Sequence, residues 1–315
     1  MEEKYFTKDN LIDMWEENKK IEEVPDICFK DIEGAKLRYF ILKNEEKDDA
    51  ILRQLKRMKE DKKKVATSER TEVWENGWSE NYEEFKNTLD LSSLIPKYFN
   101  TTEGRYKQEF VKGDGYAFSD MLQRIVRKYI FNRYMQEFSD IYEFGCGTAF
   151  NLVDLAQMYP DKNLHGFDLT YASGKIIKIL REHFGYNIDG GQFDFTKPDL
   201  SLEIAENSCV YTFLALEQTY DLWKPFLDFI IAKRPKLCVH LEPIEEFYDE
   251  NNLVDYLSIE FHRKRHYLKG FYTELKALEE KGIIEILEQR RLYYGDYNHE
   301  ASGLIVWRLK KHKER

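Results

Sequence analysis

Cysteine is scarce in this chain of 315 residues, and its four copies lie far apart in the sequence. They are Cys28, Cys146, Cys209 and Cys238, and no two of them form a CxxC pair. Three of the four fall in predicted strands or in a glycine-rich turn. We therefore expect buried, reduced thiols in a cytoplasmic protein rather than a disulfide framework.

The chain also lacks long apolar runs and an excess of positive charge. No apolar stretch approaches the roughly 18 residues of a membrane-spanning helix, and the start Met-Glu-Glu-Lys predicts no signal peptide. The 48 Lys and Arg against 58 Asp and Glu give a net charge of −10. This balance argues against a general nucleic-acid-binding surface. We expect a small molecule or glycan as partner, and the sequence does not indicate the oligomeric state.

What the chain does contain is a strand, a glycine turn and a helix in close succession. The apolar run 141–144 predicts a buried strand, and apolar residues at helical spacing follow from Leu152. Between them stand Gly145 and Gly147, which permit turn angles closed to other residues and a close approach of the backbone to a ligand. Phe150 occupies the third glycine position of a dinucleotide fingerprint, and no Gly-Lys-Ser/Thr follows as in a phosphate loop.

Acidic residues stand at the ends of the first three predicted strands of this region. Glu143 closes the first strand, Asp168 closes the second (163–169), and Asp194 lies in the third (187–195). Asp168 has the spacing at which a carboxylate accepts hydrogen bonds from both ribose hydroxyls. Its alternative role is that of a cap for the helix after Thr170.

Asp194 lies between two aromatic rings, those of Phe193 and Phe195. Such rings can cover the faces of an adenine while the carboxylate accepts a hydrogen bond from its amino group. Because the carboxyl ends of parallel strands meet at one edge of the sheet, we expect Asp194 to share a rim with the other two acids.

The pattern Glu143-x-Gly145-x-Gly147 resembles motif I of the class I S-adenosylmethionine-dependent methyltransferases, with Ala149 in place of the usual third glycine. The resemblance covers roughly residues 115–310. It implies that Glu143 and the glycine turn hold the methionine part of S-adenosylmethionine, Asp168 the ribose, and Asp194 with its two phenylalanines the adenine.

The resemblance also implies the fold, a Rossmann-like α/β sheet of seven strands that ends in an antiparallel hairpin. Strand patterns over 283–294 and 304–310 fit that hairpin, and a turn over 295–298 is expected to join them. Residues 1–115 are predicted to form a mainly helical cap, and 116–315 the domain that binds S-adenosylmethionine. In the cap, Trp74 and Trp78 stand one helical turn apart and could stack on a sugar or anchor the cap to the core.

Two places near later strand ends carry candidate catalytic residues. Glu217 and Gln218 follow the fourth strand, where the resemblance implies that methyl group and acceptor meet. His240 and Glu242 share one face of the fifth strand, and Pro243 ends that strand. We predict His240 as general base, because its ordinary pKa suits proton transfer near neutral pH. Glu217 is the rival, and Glu242 is expected near the substrate.

The segment 261–267 is rich in basic residues. His262, Arg263 and His266 are predicted to contact the substrate, for instance a phosphate or sugar acid. Two histidines at i and i+4 could instead complete a metal set with His240 and Glu242, but the spacing lacks the glutamate of zinc enzymes, and we predict no metal.

These features predict an S-adenosylmethionine-dependent methyltransferase. Short segments around Trp74 and 262–270 resemble methyltransferases of bacterial surface-polysaccharide assembly, which implies O-methylation of a sugar hydroxyl. The alternatives are a small-metabolite or natural-product O- or N-methyltransferase, a methyltransferase-like domain that binds without catalysis, and an NAD-dependent oxidoreductase.

Overall fold

The computed structural model of the chain describes residues 2–15, 27, 37–99, 101–115, 118–300 and 302–310. Cys28 lies outside these residues, whereas the other three cysteines are buried free thiols. Burial raises the pKa of each of these thiols, so they stay protonated at neutral pH.

The described residues form strands and helices whose bounds follow in chain order. The strands are β1 (Glu2–Tyr5), β2 (Arg38–Ile41), β3 (Glu103–Tyr106), β4 (Glu109–Gly113), β5 (Asp140–Phe144), β6 (Asn163–Asp168), β7 (Ile188–Gln192), β8 (Ser208–Phe213), β9 (Leu237–Glu242), β10 (Ile284–Arg291), β11 (Tyr294–Asp296) and β12 (Gly303–Leu309). The α-helices are α1 (Lys8–Asp13), α2 (Glu45–Glu60), α3 (Ser68–Thr88), α4 (Phe118–Tyr134), α5 (Phe150–Met158), α6 (Tyr171–Phe184), α7 (Lys224–Lys233), α8 (Leu253–Arg265) and α9 (Phe271–Glu280).

The larger sheet has seven strands in the order β10-β12-β9-β8-β5-β6-β7 within the described part of the chain. Strands β5 to β9 run parallel, whereas β12 is antiparallel to β9 and β10 is antiparallel to β12. If these seven strands are numbered along the chain and read from β7 to β10, the order is 3-2-1-4-5-7-6. It confirms the predicted seven-stranded α/β sheet.

Local sequence explains where the helices around this sheet begin and end. Helix α6 ends at Gly185, which takes the left-handed conformation with φ +68° and so closes the last turn. Helix α7 begins at Lys224, and Pro225 stands in its first turn, where proline suits a helix start. The preceding stretch Leu216–Thr219 forms a short 3₁₀ turn.

A second sheet of five strands was not predicted. Its order is β1-β2-β4-β3-β11, and neighbouring strands are antiparallel. Four of its strands come from the region predicted as a mainly helical cap, so this region mixes strands with its helices. The fifth, β11, comes from the predicted hairpin turn between β10 and β12. The chain therefore leaves the larger sheet after β10, adds one strand to the cap sheet and returns.

The cap sheet and the larger sheet share one hydrophobic core. Phe6, Leu11 and Trp15 belong to the same cluster of buried side chains as α4 and the central strands. Trp15 lies edge-on to Tyr129 of α4, with ring centroids 4.5 Å apart. Residues 1–115 and 116–315 are therefore packed as parts of one core, not as two separate cores.

This shared core predicts the effect of Trp15→Ala. Trp15 is 2% exposed, and removing a buried tryptophan costs about 3–5 kcal/mol. We expect urea unfolding, followed by far-UV circular dichroism, to show that loss in a single transition of the whole chain. Leu52→Ala is the control, because Leu52 is 47% exposed and exposed substitutions change stability by about 0.5 kcal/mol or less. An unchanged main transition in Trp15→Ala would show that the two regions fold independently.

Candidate functional site

The turn after β5 depends on two glycines with positive φ, +78° at Gly145 and +52° at Gly147. A Cβ atom at Gly145 would lie 2.2 Å from the Cβ of Ala215, beyond the end of β8. The N–H groups of Gly145 and Cys146 both donate to the carbonyl of Phe167 in β6. The turn is therefore fixed between the ends of three adjacent strands. Ala149 is left-handed as well, with φ +61° just before α5.

Asp168 lies beside this turn at the end of β6. Its Oδ2 accepts from the N–H of Gly147 at 2.9 Å, and its Oδ1 accepts from the N–H and hydroxyl of Thr170 at 2.9 and 2.8 Å. It therefore caps the turn before α6 and also lines a cavity. Burial raises the pKa of this carboxyl.

The third predicted acid also lines that cavity. Oδ1 of Asp194 accepts from the N–H and hydroxyl of Thr196, and the ring of Phe195 lies beside it on the cavity wall. Phe193 does not fit its predicted place against an adenine. It is 5% exposed and packs inside the core against Phe144. Only one of the two predicted rings thus faces the cavity.

Glu143 lies one layer below the turn, away from the cavity surface. It is fully buried, and it accepts hydrogen bonds from the amide of Asn151 and from the hydroxyl of Tyr211. Burial raises the pKa of its carboxyl to about 7. The prediction that Glu143 contacts the methionine part of the cofactor is therefore corrected, since it supports the turn from beneath.

The first cavity has a volume of about 420 Å³ and lies over the glycine turn. Three buried polar atoms on its wall have no hydrogen-bond partner among the described residues: Oε1 of Gln123, Nε of Arg127 and Oδ1 of Asn151. Buried polar groups in native proteins are nearly always hydrogen-bonded. The cavity lining therefore includes three residues that each keep one buried polar atom unpaired by the described protein.

A second cavity of about 420 Å³ adjoins the first. The residues that line both cavities are Trp74, Trp78, Phe99, Gln123, Leu214 and Gln218. Trp74 and Trp78 stack on each other with centroids 5.0 Å apart, and the ring of Trp78 contacts Gly147. Helix α3 thus supplies the wall between the two cavities, and the predicted tryptophan pair lies at a site rather than on a remote surface.

Asp296 and His299 line the second cavity, and the sequence did not single them out. Oδ1 of Asp296 accepts from the N–H groups of Asn298 and His299, which leaves Oδ2 3.7 Å from Nε2 of His299. The Asp296 side chain is 46% exposed. Burial lowers the pKa of His299 to about 3, so its ring is neutral.

Glu217 and Gln218 line the second cavity as well, and Gln218 also lines the first. Oε1 of Glu217 accepts from the amide of Gln218 at 2.8 Å. Glu242, in contrast, is fully buried and accepts from the backbone N–H groups of Ala215, Leu216 and Glu217. Its predicted substrate contact is therefore corrected: Glu242 fixes the loop that presents Glu217.

His240 does not lie where a general base is needed. It is 1% exposed, and it lines neither of the two cavities just described. Its Nδ1 is 2.9 Å from the hydroxyl of Thr212, and its ring packs between Phe271 and Trp307. Burial lowers its pKa to about 3. The predicted catalytic role of His240 is corrected because strand β9 buries it beneath α9.

The basic segment 261–267 is also placed differently from the prediction. His262 is buried and bonded to His299 through Nε2, while Arg263 forms ion pairs with Glu245 and Glu250 at the surface. His266 ends α8 and stacks on Tyr220. None of these three lines either cavity; from this segment, Phe261, Arg265 and Tyr267 line the second one. In the described part of the chain, no cluster of three or more potential metal ligands occurs, and the weighed set with His240 does not come together.

No protein-family model matches the chain, and no curated protein matches its sequence. Solved structures of methyltransferases are similar to its fold. Human N-acetylserotonin methyltransferase in complex with S-adenosylmethionine is 17% identical, with a TM-score of 0.40 over 62% of this chain and 55% of that one. The CcbJ methyltransferase of Streptomyces caelestis is 14% identical, with a TM-score of 0.40 over 59% and 89%. A bacterial Hen1 methyltransferase domain is 17% identical, with a TM-score of 0.42 over 58% and 95%.

At these identities and scores the similarity says nothing about what this chain binds. Within its described residues, no helix is both long and apolar enough to span a bilayer.

The raised pKa of Glu143 predicts a pH effect on stability. Its pKa rises from 4.5 to about 7 on folding, so ionisation between those values favours the unfolded chain. The free energy of unfolding that depends on Glu143 is then fully present below pH 4.5 and lost as pH rises to about 7. Glu143→Gln stays neutral, so its stability relative to the wild type should rise by roughly 2–4 kcal/mol over this window and then level off.

Urea unfolding of the two proteins from pH 4.5 to 8 measures this difference. Glu203→Gln serves as control, because the Glu203 side chain is 86% exposed. A stability difference that stays constant with pH would show that the Glu143 carboxyl is already ionised in the folded protein.

Proposed function

We propose that this chain is an S-adenosylmethionine-dependent methyltransferase that binds the cofactor in the first cavity and a small acceptor in the second. The observation that carries the proposal is that the two cavities share a wall, part of which is Trp78, whose ring contacts Gly147 of the glycine turn. One cavity presents strand-end acids, and the other presents carboxylates, among them Glu217 and Asp296, and the neutral His299. A methyl donor in the first cavity and an acceptor in the second would lie close to each other, which favours transfer between them.

The residues of the first cavity fit this cofactor. Asp168 and Asp194 lie at adjacent strand ends and can accept hydrogen bonds from ribose hydroxyls and an adenine amino group. Arg127 and Gln123 line the same cavity, and a guanidinium pairs well with a carboxylate such as that of an amino acid, although that of Arg127 also pairs with Asp154. When bound, S-adenosylmethionine supplies a methyl group already activated by a sulfonium.

The second cavity supports an acceptor that carries a hydroxyl or amino group. Trp74, Trp78 and Tyr267 provide flat rings on its wall, and Glu217 and Asp296 provide acceptors for the donor groups of a ligand. This combination suits a sugar ring, as the sequence resemblance implies, and it suits other small metabolites equally. The narrower context of surface-polysaccharide assembly rests on the resemblance of short segments alone.

Cofactor binding is the first test of this proposal. We expect isothermal calorimetry to show saturable binding of S-adenosylhomocysteine but not of NAD. Asp168→Ala should weaken that binding about 10- to 100-fold, because bonds to a charged partner contribute about 1.5–3 kcal/mol. Asp199→Ala is the control, since Asp199 bonds only within its own exposed turn in the described structure. If the protein does not bind S-adenosylhomocysteine at millimolar concentration, the proposal is wrong. If Asp168→Ala binds it with unchanged affinity, Asp168 only caps the turn before α6.

Two carboxylates compete for the role of proton acceptor, Glu217 and Asp296. Glu217 lies next to Gln218, which lines both cavities, so it is near their junction. Asp296 lines the second cavity with a side chain that is 46% exposed, and its Oδ2 lies 3.7 Å from Nε2 of the neutral His299. In transfer to a hydroxyl, the new C–O bond forms as the C–S bond breaks, and the hydroxyl proton passes to one of these carboxylates.

Replacing each carboxylate by its amide separates the two assignments. We expect Asp296→Asn or Glu217→Gln, whichever removes the base, to lower transfer of tritiated methyl groups by about 10²–10⁴-fold, with affinity for S-adenosylhomocysteine unchanged. The assay uses tritiated S-adenosylmethionine with nucleotide sugars, phenols and amines as acceptors. Near wild-type turnover in both variants would exclude a carboxylate base, and His240→Ala should keep its activity if it folds.

A further inference from the structure

We propose that the first half of helix α3 is a gate over the cofactor cavity, hinged at Gly77 and latched by Glu75. Glu75 is a positioning residue, because it acts on the cavity through Trp74 and Trp78. The inference rests on the proposed function, because it concerns the exchange of S-adenosylmethionine and its product.

The latch is a contact between two helices. Oε2 of Glu75 accepts from the backbone N–H of Tyr171 at 2.8 Å, and Oε1 accepts from that of Ala172 at 3.2 Å. These are the first two residues of α6, whose N-terminal N–H groups have no partner inside their own helix. A carboxylate is favoured there by the helix dipole. Helix α6 follows directly after Asp168 and Thr170, so Glu75 ties α3 to the ribose side of the first cavity.

Buried side chains anchor the second half of α3, whereas the chain just before the first half is held by the N–H groups of Val65 and Ala66, which donate to the carbonyls of Arg265 and Gln218. Phe85 is fully buried and stacks on Phe184 of α6 at 5.7 Å. The amide of Asn81 is buried as well and donates to the carbonyl of Ser93 at 2.7 Å. The first half, in contrast, presents Thr71 and Trp74 to the first cavity.

Gly77 stands between these two halves in the middle of a helix of 21 residues. A Cβ atom there would meet no atom within 4 Å beyond the local helix backbone, so packing does not demand a glycine. Glycine costs a helix interior about 1 kcal/mol relative to alanine. Gly77 thus weakens the helix between the half that Phe85 and Asn81 anchor and the half that Glu75 ties to α6. A hinge requires such a weak point.

Movement at this hinge would change both cavities together. Trp74 precedes the hinge, lies stacked on Trp78 and lines both cavities. Release of Glu75 from α6 would carry Trp74 away from the wall over the glycine turn. The gate therefore opens the cofactor cavity and removes part of the acceptor cavity in the same motion, so that an acceptor is enclosed only while the latch is closed.

Kinetics of S-adenosylhomocysteine exchange test the gate in the full chain. Stopped-flow tryptophan fluorescence gives association and dissociation rates, and a chase of tritiated S-adenosylhomocysteine with unlabelled ligand checks the dissociation rate. We expect Glu75→Ala to raise both rates about tenfold through loss of two charge-assisted bonds, with Glu75→Gln in between. Gly77→Ala should lower both rates about fivefold, because it strengthens the helix at the hinge.

Glu83→Gln is the matched control, since it removes one negative charge from the anchored half of the same helix, where the side chain is 61% exposed. Its rates should equal those of the wild type, and thermal melting should confirm that all variants are folded. A gate is overturned by exchange rates within twofold of wild type in both Glu75→Ala and Gly77→Ala. It is also overturned by a change in dissociation alone, which indicates a static contact. If the wild type binds no S-adenosylhomocysteine, the proposed function itself fails and the gate with it.

Discussion

The close approach of three strand ends around Gly145 is the constraint on which the rest of the site depends. With 2.2 Å between an added Cβ and the Cβ of Ala215, no other side chain fits without moving β5 away from the loop after β8. The bonds from Gly145 and Cys146 to Phe167, and from Gly147 to Asp168, then bind this turn to β6. One glycine position thus sets the distance between the acid of β6 and the loop that carries Glu217.

The cap sheet is attached to this framework by a buried network of charged and polar groups. Arg105 of β3 is fully buried and donates to Ser258 of α8 and to the carbonyl of Tyr297. Burial lowers its pKa to about 10, so it remains a cation at neutral pH. Arg291 pairs with Asp255 of α8 and with Glu300. Buried ion pairs contribute little net stability but penalise other arrangements, so this network fixes the 291–300 segment and with it Asp296.

The sequence predicted the features that depend on local pattern. Strand β6 with its terminal Asp168, the helix after Thr170 and the two strand patterns that became β10 and β12 follow from apolar periodicity and turn residues within a few positions. Asp194 and Phe195 were placed on the cavity for the same reason. Strand β11 was missed because a three-residue strand has no periodicity of its own. Its assignment to the cap sheet depends on pairing with β3, about 190 residues away in the chain.

The sequence also could not predict how deeply a side chain near a strand end is buried. Alternation correctly predicts that His240 and Glu242 share a face, but not that this face is the one that packs beneath α9. Phe193 and Phe195 show the same limit, since one faces the core and the other the cavity. A side chain near a strand end can therefore lie in the core or face the cavity. Residues far away in the chain decide which, as Phe271 and Trp307 do for His240.

The buried carboxylates beneath the site follow from this same geometry. Glu143 on β5 and Glu242 on β9 are each fully buried near the end of a strand, and burial raises the pKa of both to about 7. Glu143 accepts a hydrogen bond from the amide of Asn151 at the start of α5. Asn151 in turn lines the first cavity. Glu242 accepts three backbone N–H groups of the loop that presents Glu217 to the second. Neither acid lines a cavity itself, but each fixes a residue that does, and a fixed group loses less conformational entropy when a ligand binds.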